Sequence, residues 1–232
     1  MSEHIVRAYD KDLEALEHKI SEMGGIAEKL MADALEALTT FNLELARSVV
    51  AGDTRLDALQ RAVEEQAVLT IARRQPMAVD LRQTIAVIRI AGELERIGDL
   101  AKNISKRAIK IASEQRVQRP MVGLKHMGDL ACAQLKDVLD AYAHRDVEKA
   151  MNVWRRDTDI DALEDSVFRD LLTFMLEDPR NISFCAHLLF CSKNIERAGD
   201  HSTNIAETVY YLVTGTNLPT DRPKGPGHPV QV

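Results

Sequence analysis

Glu95-Arg96-Ile97-Gly98-Asp99 returns as Glu196-Arg197-Ala198-Gly199-Asp200, and Asn103-Ile104 returns as Asn204-Ile205, both 101 residues later. Upstream, Asp53-Thr54-Arg55-Leu56-Asp57-Ala58-Leu59 returns as Asp157-Thr158-Asp159-Ile160-Asp161-Ala162-Leu163, 104 residues later. Between the members of each pair stands a proline, Pro76 or Pro179, offset by 103. Two ordered motif pairs around a shared punctuation mark identify a duplicated unit, and such internal repetition outranks local propensity in deciding a fold. The three-residue change of offset falls between the motifs, which suggests a change in or near the helix–helix connection, where insertions are tolerated.

Outward from these motifs, apolar residues recur at helical spacing almost from end to end, with no sustained strand alternation. Breaks fall near Thr39–Asn42, Gln75-Pro76, Ser113–Pro120, Ala143–Asp146, Asp178-Pro179 and from Gly215 onward. The spacing predicts six helices, roughly over 10–40, 43–75, 78–113, 121–143, 146–177 and 181–214. The expected fold is all-α: two tandem, pseudo-symmetric three-helix bundles. The first repeat spans 1–115 and the second 116–215. The remainder, 216–232, holds four prolines and two glycines and reads as a disordered tail. Periodicity leaves open whether the halves share one core.

Composition agrees. Of 232 residues 45% are hydrophobic but only 4% aromatic, so the core must be built mainly from aliphatic side chains and Met. The formal net charge of −6 argues against a nucleic-acid binder, whose affinity rests on neutralising phosphates. The basic residues Lys102, Lys106, Arg107, Lys110, Arg116 and Arg119 fall near a predicted helix end, where cations complement the macrodipole. No run of about 18 apolar residues is present to span a membrane, and Met1–Lys11 has no apolar leader segment. Cys132, Cys185 and Cys191 form no Cys-x-x-Cys pattern and read as reduced core residues of a cytosolic protein.

Residues four apart on a helix lie about 40° apart in rotation, one turn along the same face. Glu95, Asp99 and Asn103 therefore form one stripe, and Glu196, Asp200 and Asn204 its copy; Asp53 with Asp57 and Asp157 with Asp161 make two more pairs. A short turn at the proline makes the second and third helices of each repeat antiparallel neighbours. Asp57 precedes Pro76 by 19 residues and Glu95 follows it by 19; in the second copy the distances to Pro179 are 18 and 17. Four carboxylates per repeat are thus expected at one depth, bordered by Ile88, Ala91, Ile97, Ala101 and Ile104. Gly98 and Gly199, poor helix formers by roughly 1 kcal/mol relative to Ala, suggest close approach of another helix or a ligand.

Crowded carboxylates repel and resist desolvation unless a positive charge joins them. Divalent or trivalent cations would resolve the conflict, and an oxygen-only donor set suits hard ions such as Mg, Ca, Mn or Fe(III). Asn103 and Asn204 are either donors to the ligating carboxylates or plain polar groups of helix packing. The alternative for the acidic stripes is solvent exposure or pairing with arginines. His201, beside Asp200, has Leu100 at its copy position and reads as a packed histidine rather than a ligand. An enzyme is not expected: a ferritin-like di-metal oxidase needs Glu-x-x-His on two helices, and no histidine here has Glu three residues before it. Gly-rich phosphate loops and nucleophile elbows are missing too. A metal-free helical adaptor whose acidic stripes meet basic partners is the remaining rival.

The string Arg74-Gln75-Pro76-Met77-Ala78-Val79-Asp80-Leu81-Arg82, followed by Glu95-Arg96-Ile97-Gly98-Asp99, closely resembles the PhoU family, as does Glu196-Arg197-Ala198-Gly199-Asp200-His201 with Asn204-Ile205-Ala206-Glu207. The resemblance runs over about residues 5–214. It implies a cytoplasmic bacterial regulator rather than an enzyme: a negative regulator of phosphate uptake that couples the phosphate ABC transporter ATPase subunit to the phosphate-regulon sensor histidine kinase. It further implies metal clusters (Fe, Zn, Mg or Mn) on Asp53, Asp57, Glu95, Asp99, Asp157, Asp161, Glu196 and Asp200, often a homodimer, and membrane association only through partners. The Gln-Pro segment has no second-repeat equivalent, since Asp178-Pro179-Arg180-Asn181 takes its place.

Overall fold

In a computed structural model, which describes residues 2–112 and 119–218, the chain forms six long helices. They are α1 (Ser2–Thr40), α2 (Leu43–Arg74), α3 (Val79–Ile111), α4 (Arg119–His144), α5 (Val147–Glu177) and α6 (Ile182–Thr214), with one 3₁₀ turn at Pro179–Asn181. No strand occurs among the described residues. The helices follow the expected segments closely, except that α1 begins at Ser2 rather than near residue 10. Most of the expected tail, residues 219–232, and part of the expected repeat boundary, residues 113–118, lie outside the described residues.

The first turn of each repeat is built alike. Phe41 and Arg145 take left-handed φ values of 58° and 54°. Each is followed by a capping Asx: Asn42 accepts from the Leu45 amide at 3.1 Å and Asp146 from the Lys149 amide at 2.9 Å. Such a side chain satisfies one of the amides that a helix start leaves open. The second turns differ. Gln75 and Ala78 both have positive φ, 50° and 51°, whereas the second repeat uses the 3₁₀ turn.

The three-residue offset is not absorbed in these connections, contrary to the sequence expectation. Each connection has four residues, 75–78 and 178–181. Instead α2 has 32 residues to the 31 of α5, and Glu95 is residue 17 of α3 where Glu196 is residue 15 of α6. The α2–α3 arm is simply longer beyond the acidic level, by a few ångströms at 1.5 Å per residue.

The two bundles share one core. A single cluster of buried residues runs through all six helices, from Leu16, Ile20 and Met23 on α1 to Ile205, Val209 and Leu212 on α6. α3 and α6 lie side by side across the repeat junction, and α1 meets α4 in a reciprocal contact. A Cβ on Gly24 would stand 2.9 Å from Leu139 Cδ2, and a Cβ on Gly128 would stand 2.7 Å from Leu35 Cδ1. Gly24 and Gly128, like Leu35 and Leu139, are 104 residues apart, so each helix offers the other the same gap and the same side chain. Cys185 and Cys191 are buried and Cys132 partly so. Burial pushes the Cys191 thiol up to about 12, which keeps it an unreactive core group. Among the described residues no helix is long and apolar enough to cross a membrane.

Candidate functional site

The acidic level lies where α2 meets α3, and its copy where α5 meets α6. Gly98 explains how the first pair approaches so closely: a Cβ there would fall inside the surface of Leu56 Cδ2 and 3.3 Å from Asp53 Oδ1. Gly199 does the same for α5, where a Cβ would lie 2.9 Å from Ile160 Cδ1. The close approach expected from the glycines is therefore a helix.

In the first repeat Asp53 is 3% exposed, while Asp57, Glu95 and Asp99 are partly buried. Their proximity is felt at Glu95, whose pKa is raised by burial first and then by the charges of Asp99, Asp57 and Asp53. Glu95 thus feels the other three acids of this set. In the second repeat Glu196 is buried, and its pKa is raised by burial, against the Lys193 hydrogen bond, with Asp200 and Asp161 adding to the rise. Asp157, 4% exposed, is tied to α6 by the Thr203 hydroxyl at 3.0 Å.

Lys102 is the residue that sequence reading assigned elsewhere. It does not serve the end of α3, where Lys110 occupies the last turn. Its ammonium donates to both Asp53 Oδ2 and Asp99 Oδ1, so it bridges α2 and α3. Burial works against its charge, but the bonds and charges of the two aspartates outweigh this and hold its pKa above the usual lysine range. The i, i+3 spacing of Asp99 and Lys102 was the available signal. Lys193 makes a lesser contact, 2.7 Å to Glu196 Oε1, from a side chain 50% exposed.

The remaining site residues are placed as follows. Asn103 is exposed. Asn204 donates to Glu93 Oε2 at 3.1 Å, and His201 Nδ1 lies 2.6 Å from the same oxygen. The reading of His201 as a packed histidine fits this contact, which joins α6 of one repeat to α3 of the other. Burial alone would raise the Glu93 pKa; the His201 and Asn204 bonds, with the charges of His201 and Arg96, reverse the sign and lower it. Gln134, on α4 and 1% exposed, went unnoticed in sequence because a lone buried Gln carries no pattern. Its Oε1 stands 3.3 Å from where a Gly199 Cβ would be and accepts no hydrogen bond among the described residues.

Among the described residues no three His, Cys, Asp or Glu side chains stand already grouped to hold a metal ion. The donor chemistry nonetheless fits a hard cation. The sets are oxygen-only, Glu95 bears the repulsion of three neighbours, and buried Asp53 Oδ1 has no hydrogen-bond partner among the described residues. The acids are gathered at one level, and a lysine meets some of their charge.

Comparison with known proteins agrees with the duplicated architecture. The PhoU domain matches twice, over residues 20–108 and 124–209. A phosphate-specific transport system accessory protein PhoU homolog of Rhizobium meliloti is 53% identical over 221 residues, covering 95% of this chain and 93% of the relative. One from Caulobacter vibrioides is 47% identical over 224 residues, 97% of each chain. The crystal structure of PhoU from Pseudomonas aeruginosa superposes with a TM-score of 0.88 at 37% identity, covering 90% of this chain and all (100%) of that one. That of the phosphate transport system regulatory protein PhoU from Streptococcus pneumoniae gives 0.83 at 26%, covering 91% and 99%. With both repeats matched and near-full-length relatives at such identity, the chain belongs to the PhoU family.

Proposed function

We propose that this chain is a non-enzymatic accessory protein of phosphate transport that holds down phosphate uptake and phosphate-starvation signalling when phosphate is plentiful. The observation that carries the reading is the match of both repeats, in order and over nearly the whole chain, to proteins named for that transport system. Its partners in this reading are the ATPase subunit of the phosphate ABC transporter and the sensor histidine kinase of the phosphate regulon. It works in the cytoplasm as a homodimer and reaches the membrane only through those partners. Deleting the gene is expected to switch on a phosphate-starvation reporter in phosphate-rich medium. Reporter repression equal to the parent strain would overturn the assignment.

The same reading makes the two carboxylate sets cation sites: Asp53, Asp57, Glu95 and Asp99 in one, Asp157, Asp161, Glu196 and Asp200 in the other. A bound metal cation (Mg, Mn, Fe or Zn are the candidates) would supply positive charge that offsets the repulsion among the acids. The protein's role is to hold the acids of two helices at one level, through Gly98 on Leu56 and Gly199 on Ile160. Elemental analysis of metal-replete protein should find metal that falls in steps with Asp99→Ala and Asp200→Ala. Metal-free protein under those conditions would favour the rival, a metal-free adaptor, for which the Lys102 bridge speaks in the first repeat.

A further inference from the structure

α5 changes character along its length. Its first half exposes polar residues, Asn152, Arg155 and Asp159. Its second half keeps Val167 and Leu171 in the core but exposes Phe168, Leu172 and Leu176. These last three stand four residues apart and so share one stripe, a turn between neighbours. Ile182, at the start of α6 beyond the 3₁₀ turn, is exposed too, and the four range from 43% to 77% exposed. The matching positions of α2, 104 residues earlier, are Glu64, Val68 and Ala72. Glu64 there accepts from Gln60 Nε2 at 2.8 Å, so the first repeat puts a charge where the second puts Phe168.

At about 200 Å² for a large side chain, the four leave on the order of 400 Å² of apolar surface in water, as much as the largest patch of an ordinary monomer. Two such patches face to face would remove about 800 Å², close to the apolar share of a standard interface of about 1,600 Å². The flanking charges suit a second copy. Asp165 stands seven residues before Leu172, and Arg180 eight after it. Two α5 helices laid antiparallel with Leu172 at their crossing set each Phe168 against the other's Leu176, and each Asp165 against the other's Arg180. The Arg180 side chain is 80% exposed and donates to Asp178 through Nε and Nη2, which leaves Nη1 for a partner.

We propose that the C-terminal half of α5, with Ile182, is the face on which a second copy of this chain docks, the two α5 helices crossing antiparallel at Leu172. The inference rests on reading the protein as a homodimer, and it assigns where that dimer closes. Removal of Phe168, Leu172, Leu176 and Ile182 from water supplies the attraction. The Asp165–Arg180 pairs at the rim set direction more than strength. A parallel crossing would lay Asp165 against Asp165, and like charges so placed oppose association. The first repeat, with Glu64 in its stripe, stays outside the joint.

The test is sedimentation velocity of the full chain over about 1 to 100 μM, since interfaces of this size hold with micromolar or tighter constants. Leu172→Asp should weaken the dimer about a hundredfold or more, because the symmetry buries the new charge twice. Val68→Asp, the same change at the matching position of α2, should leave the dimer unchanged. Asp165→Arg should weaken it about tenfold, and adding Arg180→Asp to the same chain should restore it. Should Leu172→Asp fail to fold, Leu176→Asp at the most exposed position of the stripe reads the same question. Wild type that stays monomeric throughout would overturn the homodimer reading and this face with it. A dimer indifferent to Leu172→Asp, Leu176→Asp and Asp165→Arg alike would overturn the face and leave the homodimer standing. So would variants that keep the dimer and lose binding to the transporter's purified ATPase subunit, which would then be the occupant.

Discussion

The turn from α1 to α2 and the turn from α4 to α5 are the same object made twice, whereas the acidic levels a few turns later are met by different side chains. At the turns the requirement is backbone geometry: one residue at positive φ and one Asx oxygen for an open amide. Phe41 and Arg145 differ completely in side chain and still take the same conformation, so the following Asn42 or Asp146 preserves the turn. At the acidic levels the requirement is electrostatic, and it has more than one solution. Lys102 bridges Asp53 and Asp99 in one set; in the other Lys193 pairs with Glu196 and the Thr203 hydroxyl donates to Asp157. Duplication therefore holds the frame constant and lets the charge balance drift.

That comparison can be broken most forcefully in the packing beneath each acidic level. Leu56 and Ile160 are equivalent, fully buried, and seated on Gly98 and Gly199. Leu56→Ala and Ile160→Ala should each cost about 3 kcal/mol in urea unfolding. A loss well below that in only one of them would show that the two levels are not packed alike. Next, Asp53→Asn and Asp157→Asn, measured in chelator, should separate. The first breaks an ion pair with a largely buried aspartate and should cost about 2 kcal/mol; the second weakens a bond to a neutral hydroxyl and should cost about 1 kcal/mol. Equal losses would mean that Lys102 contributes no more than Thr203.

Smaller effects sharpen the frame itself. Gly98→Ala gains roughly 1 kcal/mol in helix propensity but drives a methyl into Leu56, so a net loss of about 1 kcal/mol is expected. Gly199→Ala meets Ile160 Cδ1 less closely, at 2.9 Å, and should be near neutral. Asn42→Ala and Asp146→Ala should each cost about 1 kcal/mol. Of these caps only the charged Asp146 should lose some of its contribution in high salt, because its charge faces the helix dipole. Thermal melts at two salt concentrations distinguish them.

Much of this frame was readable from the chain alone, for physical reasons. Helix ends are announced by local chemistry, such as Asn42, Asp146 and Gly215, the last at φ 76°. The depth of the carboxylates was counted along helices of fixed rise, and Glu95 feels the charges of Asp99, Asp57 and Asp53. The three-residue offset was misplaced because sequence counting locates an insertion only between motifs, and a helix can lengthen as smoothly as a loop. Lys102 was read as a helix-end cation because reach across to α2 depends on a side-chain rotamer, which no periodicity encodes. The joining of Glu93 to His201 and Asn204 was invisible for a related reason: its partners belong to different repeats, and the symmetry that revealed the carboxylates does not extend to it.

The reciprocal seating of Leu139 at Gly24 and Leu35 at Gly128 has a consequence for how the molecule is held together. Two surfaces that each present the same gap and the same side chain are self-complementary, the arrangement that ordinarily closes a two-fold dimer. Here both copies sit on one chain, so their association is a unimolecular event whose strength does not depend on protein concentration. Dilution that would drive independent halves asunder leaves this joint closed.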